Sequence, residues 1–186
     1  MTFEVIKNYF DTISYYDNIN NIFFHLNEGR LNSVIRFDLG KYSMPRKFLL
    51  PEKFPTPEEF NEMSSFFSPH WFLETKRSLF IKALFQKRLK LINIDKNTHK
   101  TTTIRIPWGQ REQGYLNDLS GGGIFWPSGS FRDGDLYSII DPFELINILK
   151  YPIFIGYGIK TENLERELGT INETSNPWIL IVKLQE

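Results

Sequence analysis

Apolar and polar positions along the chain change period several times, and each change marks an expected element. Residues 3–16 carry Ile6, Tyr9, Phe10 and Ile13 at three- and four-residue intervals, which predicts an amphipathic first helix. SVIRFDL, residues 33–39, sets Val34, Arg36 and Asp38 against Ile35, Phe37 and Leu39, the period of a half-buried strand. Four prolines fall within residues 45–57, which predicts an extended connection. That connection delivers a helix: Thr56 caps it, Pro57 suits its first position, and Glu58 and Glu59 favour the positive end of its dipole.

A second helix is predicted from Ser68 or Pro69, burying Leu73, Phe80, Ile81, Leu84 and Phe85 and turning Lys76, Lys82, Lys87 and Arg88 to water. RLKLINIDKNTHKTTTIRIPW then reads as a β-hairpin with its turn at residues 95–99. After Trp108 comes a stretch of about 25 residues rich in Gly, Ser, Asn, Asp and Pro, a length that is uncommon for a connection inside a compact domain. Beyond it DLYSII, YPIFIGYG and PWILIVKL read as strands, separated by helices from DPFELINILK and TENLERELG, with Asp141 and Thr161 as caps. The rhythm is β-α-β-α-β. Together these elements predict an α+β fold: a single domain over residues 1–186 with a mixed or antiparallel sheet flanked by helices, a central hairpin and a long Gly-rich loop. A subdivision near residues 108–134 is the alternative.

Composition adds compartment and charge. The 186 residues are 41% apolar and 16% aromatic, enough for a substantial core, and 24% charged. There is no cysteine, which excludes disulfides, thiolate metal sites and a cysteine nucleophile, and favours a cytoplasmic location. No run approaches the roughly 18 apolar residues of a membrane span, and the start lacks the pattern of a secretory signal. Net charge is zero but unevenly spread: residues 71–111 hold ten bases and two acids, whereas residues 112–186 hold five bases and eleven acids. Such a division creates separate surface potentials that steer a charged partner, unless the segments neutralise each other in ordinary ion pairs.

Candidate chemistry is sparse. GGG at residues 121–123 could present backbone N–H groups to an anion, and Gly156 and Gly158 follow an expected strand, but neither run has P-loop or dinucleotide-fingerprint spacing. Asp133 and Asp135 around Gly134 could share a hard cation, though turn chemistry accounts for them more simply. Glu74-Thr75-Lys76, with Asp38 upstream, resembles the acid-x-lysine element of metal-dependent nucleases; that element lies on a strand, and the expected helix would instead spread Glu74 and Lys76 about 200° apart. Glu165-Arg166-Glu167 resembles the paired glutamates of ADP-ribosyl transferases, and a helical surface accounts for it. His25, His70 and His99 lie on different expected elements, outside any nucleophile or metal spacing. No catalytic residue, metal site or cofactor is assigned.

Two functions use the charge division differently. In the first, the chain is a soluble, non-enzymatic bacterial inhibitor that docks on another protein through Phe125, Trp126 and Phe131 as apolar anchors and Asp133, Asp135, Asp141 and Glu144 as an acidic rim facing a basic toxin domain. In size, and in lacking both cysteine and a catalytic signature, it resembles the bacterial immunity proteins that neutralise nuclease toxins. In the second, Lys76, Lys82, Lys87, Arg88, Lys90, Lys100 and Arg105 form a phosphate-facing patch and the Gly-rich loop closes over a nucleotide, making a small nucleic-acid-binding or processing enzyme.

Overall fold

A computed structural model describes residues 4–7, 13–51, 53–104, 115–116, 124–131, 135–143, 145–146, 166 and 171–183. The chain divides into two compact units, Met1–Arg105 and Ile106–Glu186. The boundary falls just before the 108–134 stretch, the place expected for a subdivision of the single 1–186 domain.

The first unit holds two four-stranded antiparallel meanders. One runs β1 (Glu4–Lys7), β2 (Ile13–Asp17), β3 (Ile22–Asn27) and β4 (Arg30–Arg36) in chain order. The other runs β5 (Ser68–Glu74), β6 (Ser78–Phe85), β7 (Arg88–Asp95) and β8 (Thr101–Ile104) in the same way. Between them lie two short helices, α1 (Arg46–Leu49) and α2 (Pro57–Met63). The α2 start is as expected: the Thr56 hydroxyl accepts from the Glu59 N–H, and the Glu59 carboxylate accepts from the Thr56 N–H at 2.7 Å, a reciprocal capping box.

Both larger helices expected in this unit are corrected to strands. At the start, Ile6 lies on β1 and Ile13 on β2, and the turn after β2 is set by Asp17, whose carboxylate accepts from the Ile19 N–H at 2.9 Å. A short apolar series there fitted period 3.6 and period 2 alike. From Ser68 onward the cause is double-sided burial. Leu79, Ile81 and Ala83 are buried on one face of β6 and Phe80 on the other, so the sequence shows two apolar runs, residues 79–81 and 83–85, parted only by Lys82 and without strand alternation. The turn between β6 and β7 was also concealed: Gln86 and Lys87 both take positive φ (52° and 59°), making a two-residue turn without the usual Asn-Gly. The expected hairpin is found: Leu91 pairs with Ile104 and Ile94 with Thr101 around a turn in which Asp95 accepts from the N–H groups of Asn97 and Thr98, both at 2.9 Å.

The sheets pack through Tyr16 and Phe23 on one side and Phe72, Leu79, Ile81, Ala83 and Ile94 on the other. A register shift in the β3–β4 ladder lets the neighbours Val34 and Ile35 both pack against this core. Aromatic rings run through it: Phe23 lies 5.6 Å from Phe72, Phe72 5.0 Å from Tyr16, and Tyr16 5.7 Å from Phe37. β1 runs beside β5, whereas β4 and its continuation are parted from β7 and β8 by a cleft.

In the second unit β9 (Tyr115–Leu116) pairs antiparallel with β10 (Ile124–Phe125), and β11 (Gly129–Ser130), β12 (Leu136–Ile140) and β13 (Trp178–Val182) form a three-stranded antiparallel sheet. β12 and β13 are the expected DLYSII and PWILIVKL strands. Asp141 caps the turn after β12, its carboxylate accepting from the Phe143 N–H at 2.8 Å. Residues 142, 143, 145 and 146 are helical, and Leu145 is buried with Ile140 against Ile171 and Leu180. The YPIFIGYG strand, most of the TENLERELG helix, and the glycines at 121–123, 156 and 158 lie outside the described residues. Among the described residues, antiparallel sheet dominates and helix is confined to short segments.

Candidate functional site

Backbone register in the second unit decides which aromatic and acidic candidates meet solvent. Leu136, Ser138 and Ile140 alternate toward the buried side of β12, leaving Tyr137 and Ile139 on the other. The β12–β13 ladder sets Ile139 opposite Ile179 and Tyr137 opposite Ile181. This face is bare: Ile139, Ile179 and Ile181 are 56%, 62% and 51% exposed, and Phe131, 41% exposed, lies 5.0 Å from the Tyr137 ring. Gly129 makes that approach feasible, since a methyl group there would overlap the Tyr137 ring.

Of the proposed anchors, Phe131 lies on this face and Trp126 is half-buried, but Phe125 is corrected: it is 4% exposed and belongs to the interior. Asp135 and Asp141 bracket β12 and continue the alternation of its bare face, while Asp133 and Glu144 lie outside the described residues. The three isoleucines were missed because WILIV and LYSII are apolar on both sides of the strand; that lack of alternation was the available signal.

Basic candidates in the first unit do not converge. Lys82 stands opposite Leu91 and Ala83 opposite Lys90, so Lys82 and Lys90 project from opposite faces of one sheet. Lys76 and Lys100 sit in turns at one end of β6 and β7, Lys87 and Arg88 at the other, separated by seven residue rises, roughly 23 Å. Arg105 lies outside the described residues. The expected single phosphate-facing patch is therefore split over two ends and two faces.

The nuclease-like element takes a different form from the one expected. Glu74 ends strand β5 rather than sitting on a helix, and it is buried, while Lys76 is exposed in the following turn. Both Glu74 oxygens are engaged: Nε2 of His25 lies 2.8 and 2.9 Å away, Nζ of Lys96 donates at 2.8 Å, and the Ser14 hydroxyl donates at 3.3 Å. Burial raises the Glu74 pKa, but hydrogen bonds from Lys96 and His25 outweigh it and hold the carboxyl below its ordinary value. An ionised carboxylate only accepts, so Nε2 of His25 carries the proton. His70 is exposed on β5 and His99 is exposed in the β7–β8 turn. Among the described residues no group of three His, Asp or Glu side chains is placed to hold a metal ion.

A cleft of about 600 Å³ opens within the first unit. Residues 34–39 form one wall, Lys90, Ile92 and Ile94 with Thr101 and Thr103 the other, and Phe67, Ile81 and Phe85 the floor.

No protein-family model matches the chain, and no curated protein matches it. Among solved structures, 98% of the chain aligns with 49% of a "putative exported protein" from Bacteroides fragilis, with a TM-score of 0.61 and 18% identity. The chain thus spans about half the length of that protein, and the likeness is one of fold.

Proposed function

We propose that the chain is a non-enzymatic protein-binding scaffold that docks a partner on the β12–β13 face. One observation carries this reading: Ile139, Ile179 and Ile181 form an aligned apolar surface more than half exposed, joined by Phe131 and bracketed by Asp135 and Asp141. Contiguous apolar surface rimmed by polar groups is characteristic of interaction sites. Its ends are charged, with Asp135 and Asp141 flanking β12 and Lys183 following β13, which suits a partner with an apolar centre and a charged edge. Support for a scaffold comes also from the first unit: two successive four-stranded meanders, adjacent at their first strands and parted at their fourth, resemble neighbouring blades of a propeller-type stack.

Inhibition of a basic toxin domain in the cytoplasm is the sharpest form of this reading. An exported scaffold is the other form, supported by the description of the B. fragilis neighbour; a cysteine-free chain suits either compartment. Fractionation of the host separates the two. For the docking face, the purified chain is titrated by calorimetry against a basic nuclease-toxin domain, taken from a neighbouring gene of the host where one is found. Binding that Ile179→Asp abolishes is expected, whereas no binding, or equal binding by the variant, overturns this form of the proposal.

A further inference from the structure

The cleft in the first unit owes its volume to unequal side chains. On the core-facing side of the second meander, β7 contributes Ile92 and Ile94, but the residues paired with them on β8 are Thr103 and Thr101. Two short side chains at the outer strand leave the widening gap between the meanders unfilled. Val34, Ile35, Phe37 and Ile92 consequently remain only partly buried, and the rings of Phe37, Phe67 and Phe85 continue the floor at centroid spacings of 6.2 and 6.1 Å. The volume falls in the range of about 300–1,000 Å³ found for small-molecule sites.

Charge narrows the ligand. Among the lining residues Arg36 of β4 and Lys90 of β7 are cationic, one on each wall, against a single acid, Asp38, and His99 also borders the cleft. None of Arg36, Lys90 and Asp38 forms a salt bridge among the described residues. The floor is apolar, and Thr101, Thr103 and Tyr42 add hydroxyl groups.

We infer that this cleft binds a small amphiphile with an apolar acyl or aryl body and one anionic head, the body on Phe37, Phe67, Ile81 and Ile92 and the head between the Arg36 and Lys90 walls. This site is built from the first unit alone, and the inference does not depend on the docking proposal. A carboxylate gains a charge-assisted hydrogen bond that an alcohol of the same length lacks. Its body covers apolar surface that the fold leaves wet.

Calorimetric titration of the full chain with laurate and with dodecanol tests the assignment, and 8-anilinonaphthalene-1-sulfonate serves as the aryl probe. Laurate is expected to bind at least tenfold more tightly than dodecanol. Arg36→Met with Lys90→Met should erase that preference while retaining binding of the alcohol, and Thr103→Trp, which fills the gap, should abolish both. Ile179→Asp should leave laurate binding unchanged. The sulfonate probe and laurate should compete; if they bind independently, the two body types do not share the cleft and the assignment falls. It falls equally if laurate fails to bind at millimolar concentration, if the double variant keeps the preference, or if Thr103→Trp, shown by circular dichroism to be folded, binds as before.

Discussion

Removing Lys96 from Glu74 is the most direct probe of what joins the two meanders. Glu74 is 5% exposed at its side chain and Lys96 20%, and the carboxylate bridges β5 to the turn after β7 and to His25 on β3. Deleting one partner of a buried pair costs about 3–5 kcal/mol when the remaining charge is left with nothing. Here His25 and Ser14 remain, so Lys96→Met forfeits one charge-assisted hydrogen bond, about 2 kcal/mol. Glu74→Gln should cost a similar amount, because the amide cannot satisfy three donors. The double variant no longer strands either group, so its loss should fall short of the sum by about 1–2 kcal/mol. Urea unfolding at pH 7, followed by Trp71 in a background where the other three tryptophans are Phe, measures this cycle in the first unit. A coupling below about 0.3 kcal/mol, with Lys96→Met as stable as the parent, would refute the argument that burial makes this network costly to break.

Acid should weaken the same network. The folded pKa of Glu74 lies below its ordinary 4.5, so its contribution is complete above 4.5 and is lost as pH falls through the lowered value; the coupling measured at pH 7 should shrink at pH 3. Asp95 is lowered from 3.8 to about 2, first by the Thr98 N–H and then by Arg77, so Asp95→Asn should lower the melting temperature at pH 7 and much less at pH 2. Thr56→Ala removes the capping box and should cost about 1 kcal/mol, seen as faster amide exchange in the first turn of α2. Phe125→Ala should destabilise the second unit by about 3–5 kcal/mol in urea unfolding, whereas the exposed Phe131→Ala should change stability by less than about 1 kcal/mol.

The sequence disclosed elements whose signals were local. The Thr56-Pro57-Glu58-Glu59 start, the hairpin around Asp95 and the two strands of the β12–β13 ladder each depend on neighbours in the chain. It concealed what depends on partners far along it. Both faces of β5 and β6 are buried, which removed the alternation that identifies strands, and the Gln86-Lys87 turn carries none of the usual turn residues. Glu74 looked like half of a nuclease element; its partners, His25 and Lys96, stand 49 and 22 residues away. Phe125 and Phe131 each stand two residues after a glycine, and only the fold distinguishes them: Phe125, on β10, is 4% exposed, whereas Phe131, just after β11, is 41% exposed.

β13 ends its sheet, and among the described residues no strand pairs along its outer side. Its sequence, WILIV, is uncharged and strongly β-forming, without the lysine, proline or bulge that blunts such edges. The apolar side chains that β13 exposes, Ile179 and Ile181, favour self-association in a crowded solution unless something covers them. Expression yield and storage life then become reporters of occupancy: a companion molecule that masks β13 should keep concentrated samples clear, and Ile181→Lys should do the same without one.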